Sequence, residues 1–214
     1  MYKEIVEFCS ERGITLVAVT KTRSIEAIRN LYDQGQRNFG ENRVPELVDK
    51  HEALPKDIAW HMIGHLQSNK VKYIASFVSM IHSGTSFSLL KEINKRAVKN
   101  ERIIDVLLQI KIAKEEAKSG WDFKELLSHL ENNELQNLEN IRIRGIMGMS
   151  TFTSDESIVK SEFSNLKSYF DEIKKDYFSS NVFFDTISMG MSGDYKVAAS
   201  EGSTMVRIGS LLFQ

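Results

Sequence analysis

Two rhythms of apolar and polar residues alternate along this chain. Ile14 to Val19 is an apolar run broken only by Thr15, as expected of a strand covered on both faces. Residues 24–34 then place Ile25, Ile28 and Leu31 on one helical face, opened by Ser24 and stopped by Gly35. The exchange recurs to the end of the chain. Further strands are predicted at 38–42, 58–64, 77–82, 103–112, 141–149, 184–189 and 204–208. Helices are predicted at 43–51, near 68–75, and at 86–99, 122–131, 155–175 and 193–200, with a short one over 3–12 ahead of the first strand. The longest carries Ile158, Val159, Phe163, Leu166, Phe170 and Ile173 at helical spacing, and Ser192 is expected to cap the last.

Alternating strand and helix argues for parallel strands. Eight such strands, the first seven each followed by a helix or helical turn, predict a closed (β/α)8 TIM barrel. A flavodoxin-like open sheet with an extra layer is the competing architecture, and it requires two or three of the last strands to be something else. Neither a linker nor a composition shift interrupts the pattern, so residues 1–214 read as a single domain.

Composition narrows the partners. A net charge of −1, from 28 basic and 29 acidic residues, gives no field to recruit nucleic acid or an anionic membrane. The single cysteine, Cys9, lies in an amphipathic stretch and reads as core filler. With no apolar run of membrane-spanning length and no signal-like N-terminus, a cytoplasmic protein is expected.

Candidate chemistry gathers at the carboxyl ends of the predicted strands, the face that carries barrel active sites. Lys21 follows the first strand, either as a solvated loop residue or as an amine placed for reaction. Asn42, His65 and His82 stand at the ends of the next three strands. Ser192-Gly193 and Gly209-Ser210 follow the seventh and eighth, where such barrels often bind phosphate. Each pair alone reads as capping or a tight turn; together, at the two expected loops, they favour a phosphate site. An amine facing a phosphate clamp fits pyridoxal 5′-phosphate, whose aldehyde and phosphate match the two groups. His61, His65 and His82 lack any tight metal-binding spacing, so no metal is expected.

The motifs Leu16-Val17-Ala18-Val19-Thr20-Lys21-Thr22, Phe39-Gly40-Glu41-Asn42, Gly64-His65-Leu66-Gln67-Ser68-Asn69-Lys70, Glu115-Glu116-Ala117-Lys118-Ser119-Gly120, Ser188-Met189-Gly190-Met191-Ser192 and Val206-Arg207-Ile208-Gly209 occur in order along the chain. As a set they resemble the pyridoxal phosphate homeostasis protein family. The resemblance implies a barrel of the alanine-racemase type (fold type III) binding pyridoxal phosphate. Lys21 matches the family's Schiff-base lysine, and Ser192, Gly209 and Ser210 match its phosphate-binding positions. Arg207 matches the arginine assigned chiefly to the pyridine nitrogen. Asn42 and His82 complete the expected cofactor-binding set. An arginine at the ring nitrogen disfavours its protonation, so strong carbanion chemistry is not expected.

Three positions depart from the family pattern. His82-Ser83-Gly84-Thr85 replaces the more usual His-Ser-Val-Asp, Ser210 stands where Thr is commoner, and the N-terminal helix is short. The sequence ends at Gln214, directly after the eighth strand, so the second β domain of two-domain racemases is not expected. The resulting expectation is a monomeric, non-enzymatic protein acting in cofactor homeostasis, buffering pyridoxal phosphate or delivering it to apo-enzymes. The alternative is an amino-acid racemase with Lys21 as sole base.

Overall fold

A computed structural model describes residues 1–113 and 119–213. The expected charged insert at 114–120 falls partly outside them, and with it the Glu115-Glu116-Ala117-Lys118 part of one motif. The elements run α1 (Tyr2–Glu11), β1 (Thr15–Val19), α2 (Ile25–Asp33), β2 (Asn38–Glu41), α3 (Val44–Ala53), β3 (Ala59–Met62), a 3-10 helix (Ser68–Tyr73) and β4 (Met80–Gly84). They continue through α4 (Phe87–Lys99), β5 (Ile104–Gln109), α5 (Phe123–Glu131), β6 (Ile141–Met147), α6 (Glu156–Tyr177), β7 (Thr186–Ser188), α7 (Tyr195–Ser200) and β8 (Met205–Ile208). The strands form a closed parallel barrel in sequence order, with β8 returning to pair with β1. This is the predicted (β/α)8 architecture, and the open-sheet alternative is excluded by the β1–β8 register.

Strand alternation separates two cores. Leu16 and Ala18 of β1 join the large outer core between barrel and helices, with Phe39, Trp60, Ile81 and Val106. Val17, the opposite parity, packs in a smaller core with Met80, Leu107, Met147 and Met205. That division is the barrel rule of inward and outward residues. Helix starts follow local chemistry: Ser24 accepts a hydrogen bond from the Ala27 amide, Ser86 from Leu89, and Asp122 from Lys124. Cys9 is buried in the outer core, and burial pushes its thiol up to about 11. That agrees with a packing role.

Several expected boundaries shift, each for a local reason. β4 starts at Met80, because Ile74 to Val78 continue the preceding turn, with the Phe77 and Val78 amides both donating to the Ile74 carbonyl. It ends at Gly84, because a register irregularity between Ile81 and Gly84 keeps it paired with β5. β5 stops at Gln109, because Trp121 takes over the edge: the Trp121 amide donates to the Gln109 carbonyl and the Lys111 amide to the Trp121 carbonyl. Apolar runs alone do not distinguish strand from packed turn. Gly145 serves a steric need: a Cβ there would stand 1.8 Å from the Thr186 carbonyl oxygen, at φ +147°.

Candidate functional site

Lys21 lies two residues beyond β1, on the parity of Val17 and Val19. Its side chain is exposed and makes no ion pair or hydrogen bond with the described residues. The backbone around it is held firmly. Thr22 adopts a left-handed φ of 61°, and the Arg23 amide closes the turn on the Thr20 carbonyl at 2.9 Å.

Beneath this turn is a buried ion pair. Lys50 of α3 places its Nζ 2.5 Å from Glu41 Oε2 and 2.8 Å from the Thr20 carbonyl oxygen. Glu41 also accepts from the Thr20 hydroxyl at 2.9 Å and from the Asn42 amide at 2.7 Å. Side-chain exposure is 7% for Lys50 and 0% for Glu41. The backbone carrying Lys21 is thus anchored to β2 and α3 by one charged cluster. Asn42 follows it directly, and its Oδ1 is buried without a hydrogen-bond partner among the described residues.

Beside β1 in the closed barrel, where β8 pairs with it, the loops after β7 and β8 are stitched together. The Arg207 amide donates to the Gly190 carbonyl at 2.9 Å, and the Gly209 amide to Ser192 Oγ at 3.3 Å. Asp194 fastens the first loop, accepting from the Met191 amide at 2.6 Å and the Ser150 hydroxyl at 2.7 Å. Ser192 therefore does not cap the last helix as expected. That helix begins at Tyr195 behind Asp194, and the Ser192 hydroxyl faces the neighbouring loop instead. Accepting from Gly209 leaves the Ser192 proton available to a ligand. Gly193 offers open space where a side chain would otherwise stand, and Ser210 is exposed.

Arg207 is 4% exposed, inside the barrel. Its Nη1 donates to Ser188 Oγ at 2.5 Å and its Nη2 to the Gly148 carbonyl at 3.1 Å. Burial lowers its pKa to about 10, opposed by the Asp194 charge, so it remains a cation at neutral pH. Ser188 in turn meets His82 Nδ1 at 3.1 Å, and His82 Nε2 meets His61 Nδ1 at 2.8 Å. His82 is fully buried and joins Arg207 through Ser188. His65 is exposed and stands apart from the other two histidines. Among the described residues no three metal-binding side chains cluster.

Burial holds both inner histidines neutral. His61 is lowered to about 4, with the Asp105 charge opposing, and His82 falls well below the ordinary 6.5 through burial, then the nearby His61 and Arg207. The unfolded chain therefore binds more protons between these values. The stability from the neutral rings is complete above about pH 6.5 and is lost as pH falls toward 4. The His61 contribution is about 3 kcal/mol. Urea midpoints measured between pH 7 and 4.5 should fall steadily; a level profile would contradict the assignment.

A hollow of about 520 Å³ opens at the opposite, amino end of the barrel. Its carboxylates are already paired: Asp105 with Arg142 and Arg144, Asp185 with Arg144. The carboxyl ends instead carry the Lys21 ammonium and the Ser192 hydroxyl proton, without acceptors among the described residues, with the buried Asn42 Oδ1 likewise unpartnered among them, and form the candidate site.

The family model described as "Alanine racemase, N-terminal domain" matches residues 2–214. The pyridoxal phosphate homeostasis protein of Aquifex aeolicus is 42% identical over 204 residues, spanning 95% of this chain and 87% of the relative. The chain belongs to the pyridoxal phosphate homeostasis protein family. A solved member-like structure, PipY of Synechococcus elongatus without pyridoxal phosphate, superimposes with a TM-score of 0.91 at 31% identity, covering 100% of this chain and 99% of PipY. PipY with pyridoxal phosphate bound gives 0.85 at 32% identity, covering 94% and 93%. Alanine racemase of Clostridium difficile shares the fold at a TM-score of 0.74 and 15% identity, and the match covers 96% of this chain but 54% of the racemase. Within this family frame, the residues that sequence motifs did not assign are Lys50, Asp194, Ser188 and His61. Glu41 and Ser188 both stand inside motifs that carry the family resemblance, but Lys50, the partner of Glu41, lies nine positions on, where a helical lysine ordinarily reads as solvated.

Proposed function

We propose that this protein binds pyridoxal 5′-phosphate at the carboxyl mouth of the barrel and acts in the homeostasis of that cofactor. The observation that carries this reading is the ammonium of Lys21, without a partner among the described residues, at the end of the strand that pairs with β8, beside the stitched 190–194 and 207–210 loops. The donor set fits the cofactor. Lys21 supplies the amine, Ser192, Gly209 and Ser210 the phosphate cradle, and Arg207 a fixed cation for the ring. Asn42, whose Oδ1 has no partner among the described residues, and His82, through Ser188, complete the expected set. When bound, pyridoxal phosphate supplies an aldehyde that condenses with an amine and a ring that delocalises charge.

The same residues argue for a carrier over a racemase. Arg207 is a permanent cation, so it offers the ring nitrogen no proton, and the ring is a weak electron sink. Exposure of Lys21 leaves water in contact with the reactive atoms, which suits exchange of the cofactor with apo-enzymes. We further read residues 1–214 as one cofactor-binding unit, monomeric and cytoplasmic. Cys9 is a free, buried thiol, and no described helix is long and apolar enough to cross a membrane.

Borohydride reduction of the protein loaded with pyridoxal phosphate, followed by peptide mapping, should place the pyridoxyl group on Lys21. Incubation of the loaded protein with each L-amino acid should yield no D-enantiomer. Turnover that disappears in Lys21→Ala would overturn the carrier reading.

A further inference from the structure

The buried side chains behind Arg207 form one connected line across the barrel. Its members are Arg207 Nη1, Ser188 Oγ, His82 Nδ1 and Nε2, His61 Nδ1 and Nε2, and Asn38 Oδ1. The successive separations are 2.5, 3.1, 2.8 and 3.3 Å. His82 and Ser188 are fully buried, and His61 and Arg207 are each 4% exposed.

The direction of every bond follows from one end. A guanidinium has donors and no acceptor, so Ser188 Oγ must accept from Arg207. Ser188 has only His82 as its other side-chain partner among the described residues, so its own proton goes to His82 Nδ1. A neutral His82 that accepts at Nδ1 carries its hydrogen on Nε2, and it donates to His61 Nδ1. His61 then carries its hydrogen on Nε2, facing Asn38 Oδ1. The reverse order would oblige Ser188 to accept twice and strand a buried hydroxyl proton, a costly arrangement in the interior.

We propose that Ser188, His82 and His61 are positioning residues for Arg207: a one-way relay of hydrogen bonds that holds its guanidinium in one orientation toward the cofactor ring. This rests on the cofactor-binding reading above. With Nη1 committed to Ser188 and Nη2 to Gly148, the fork cannot swing to follow a ligand. The relay therefore acts on ring recognition and leaves the covalent attachment at Lys21 untouched.

The test begins without cofactor. Long-range proton–nitrogen correlation spectra of protein labelled with nitrogen-15 histidine should show both His61 and His82 as the Nε2–H tautomer. An Nδ1–H form of either ring overturns the proposal. The second arm uses 4′-deoxypyridoxine 5′-phosphate, which lacks the aldehyde and so reports ring and phosphate contacts alone. Ser188→Ala should weaken its binding roughly tenfold, the effect of losing one charge-assisted hydrogen bond. Ser188→Thr, which keeps the hydroxyl, should restore most of it. The visible spectrum of Ser188→Ala loaded with pyridoxal phosphate should also shift relative to wild type, while Lys21 still takes the borohydride label. Wild-type affinity and spectrum in a folded Ser188→Ala protein overturn the relay. Failure of wild type to label Lys21 overturns the cofactor reading instead, and the tautomer measurement stands apart from that result.

Discussion

A Lys21→Ala variant will take up no borohydride-fixed pyridoxyl group, and its retention of pyridoxal phosphate through dialysis will drop sharply. The substitution removes the amine at the barrel mouth and leaves the loops after β7 and β8 intact. Residual binding through Ser192, Gly209 and Arg207 is therefore expected. The loss should be roughly a hundredfold in affinity, equivalent to about 2.7 kcal/mol. Folding should be unaffected. The Lys21 side chain is exposed and touches no described partner, and such surface changes stay within about 0.5 kcal/mol. Equilibrium dialysis, peptide mapping and thermal melts on the same preparation check the three parts. A variant that still labels at an unchanged yield would move the amine to another residue.

The second large effect is on stability. Lys50→Ala strands the Glu41 carboxylate at 0% exposure with the Thr20 hydroxyl and the Asn42 amide as its remaining donors. Removing one partner of a buried pair costs about 3–5 kcal/mol, because the other charge is left uncompensated in the interior. A fall of that size in urea unfolding free energy is expected. The double variant Glu41→Leu with Lys50→Met removes both charges and should recover most of it, since apolar replacements of buried pairs are often neutral. The same single variant also leaves the Thr20 carbonyl with the Arg23 amide alone in place of two donors. Borohydride labelling of Lys21 should then slow, because the turn that presents the amine loses its anchor to α3. Lys50→Ala unfolding at the wild-type urea midpoint would show that the pair is screened by solvent.

These two lysines illustrate what different parts of the molecule made visible. Lys21 was marked by position: a cation at the end of an apolar strand, with glycine and serine at the two loops where a barrel holds phosphate. Lys50 carried no such mark. It sits mid-helix among Asp49, His51 and Glu52, and only the packing of α3 on β2 takes its ammonium out of water.

Ser192 shows the same limit at finer scale. Its place after β7 was legible, yet cap and cradle use the same residue type, and the neighbouring Gly209 amide decides between them. Local propensity depends on a few consecutive residues, so strand and helix rhythm, the eight-fold repeat and the placing of Lys21 and of the glycine–serine loops at strand ends were determined by the sequence itself. The relay could not be. Ser188 and His82 are 106 positions apart, and closure of the barrel brings them within 3.1 Å. Which side chains face the axis at the same height depends on strand register and on the bulges in β4 and β6. Those are set by packing across the whole sheet, so the tertiary structure alone decided which buried polar groups meet Arg207.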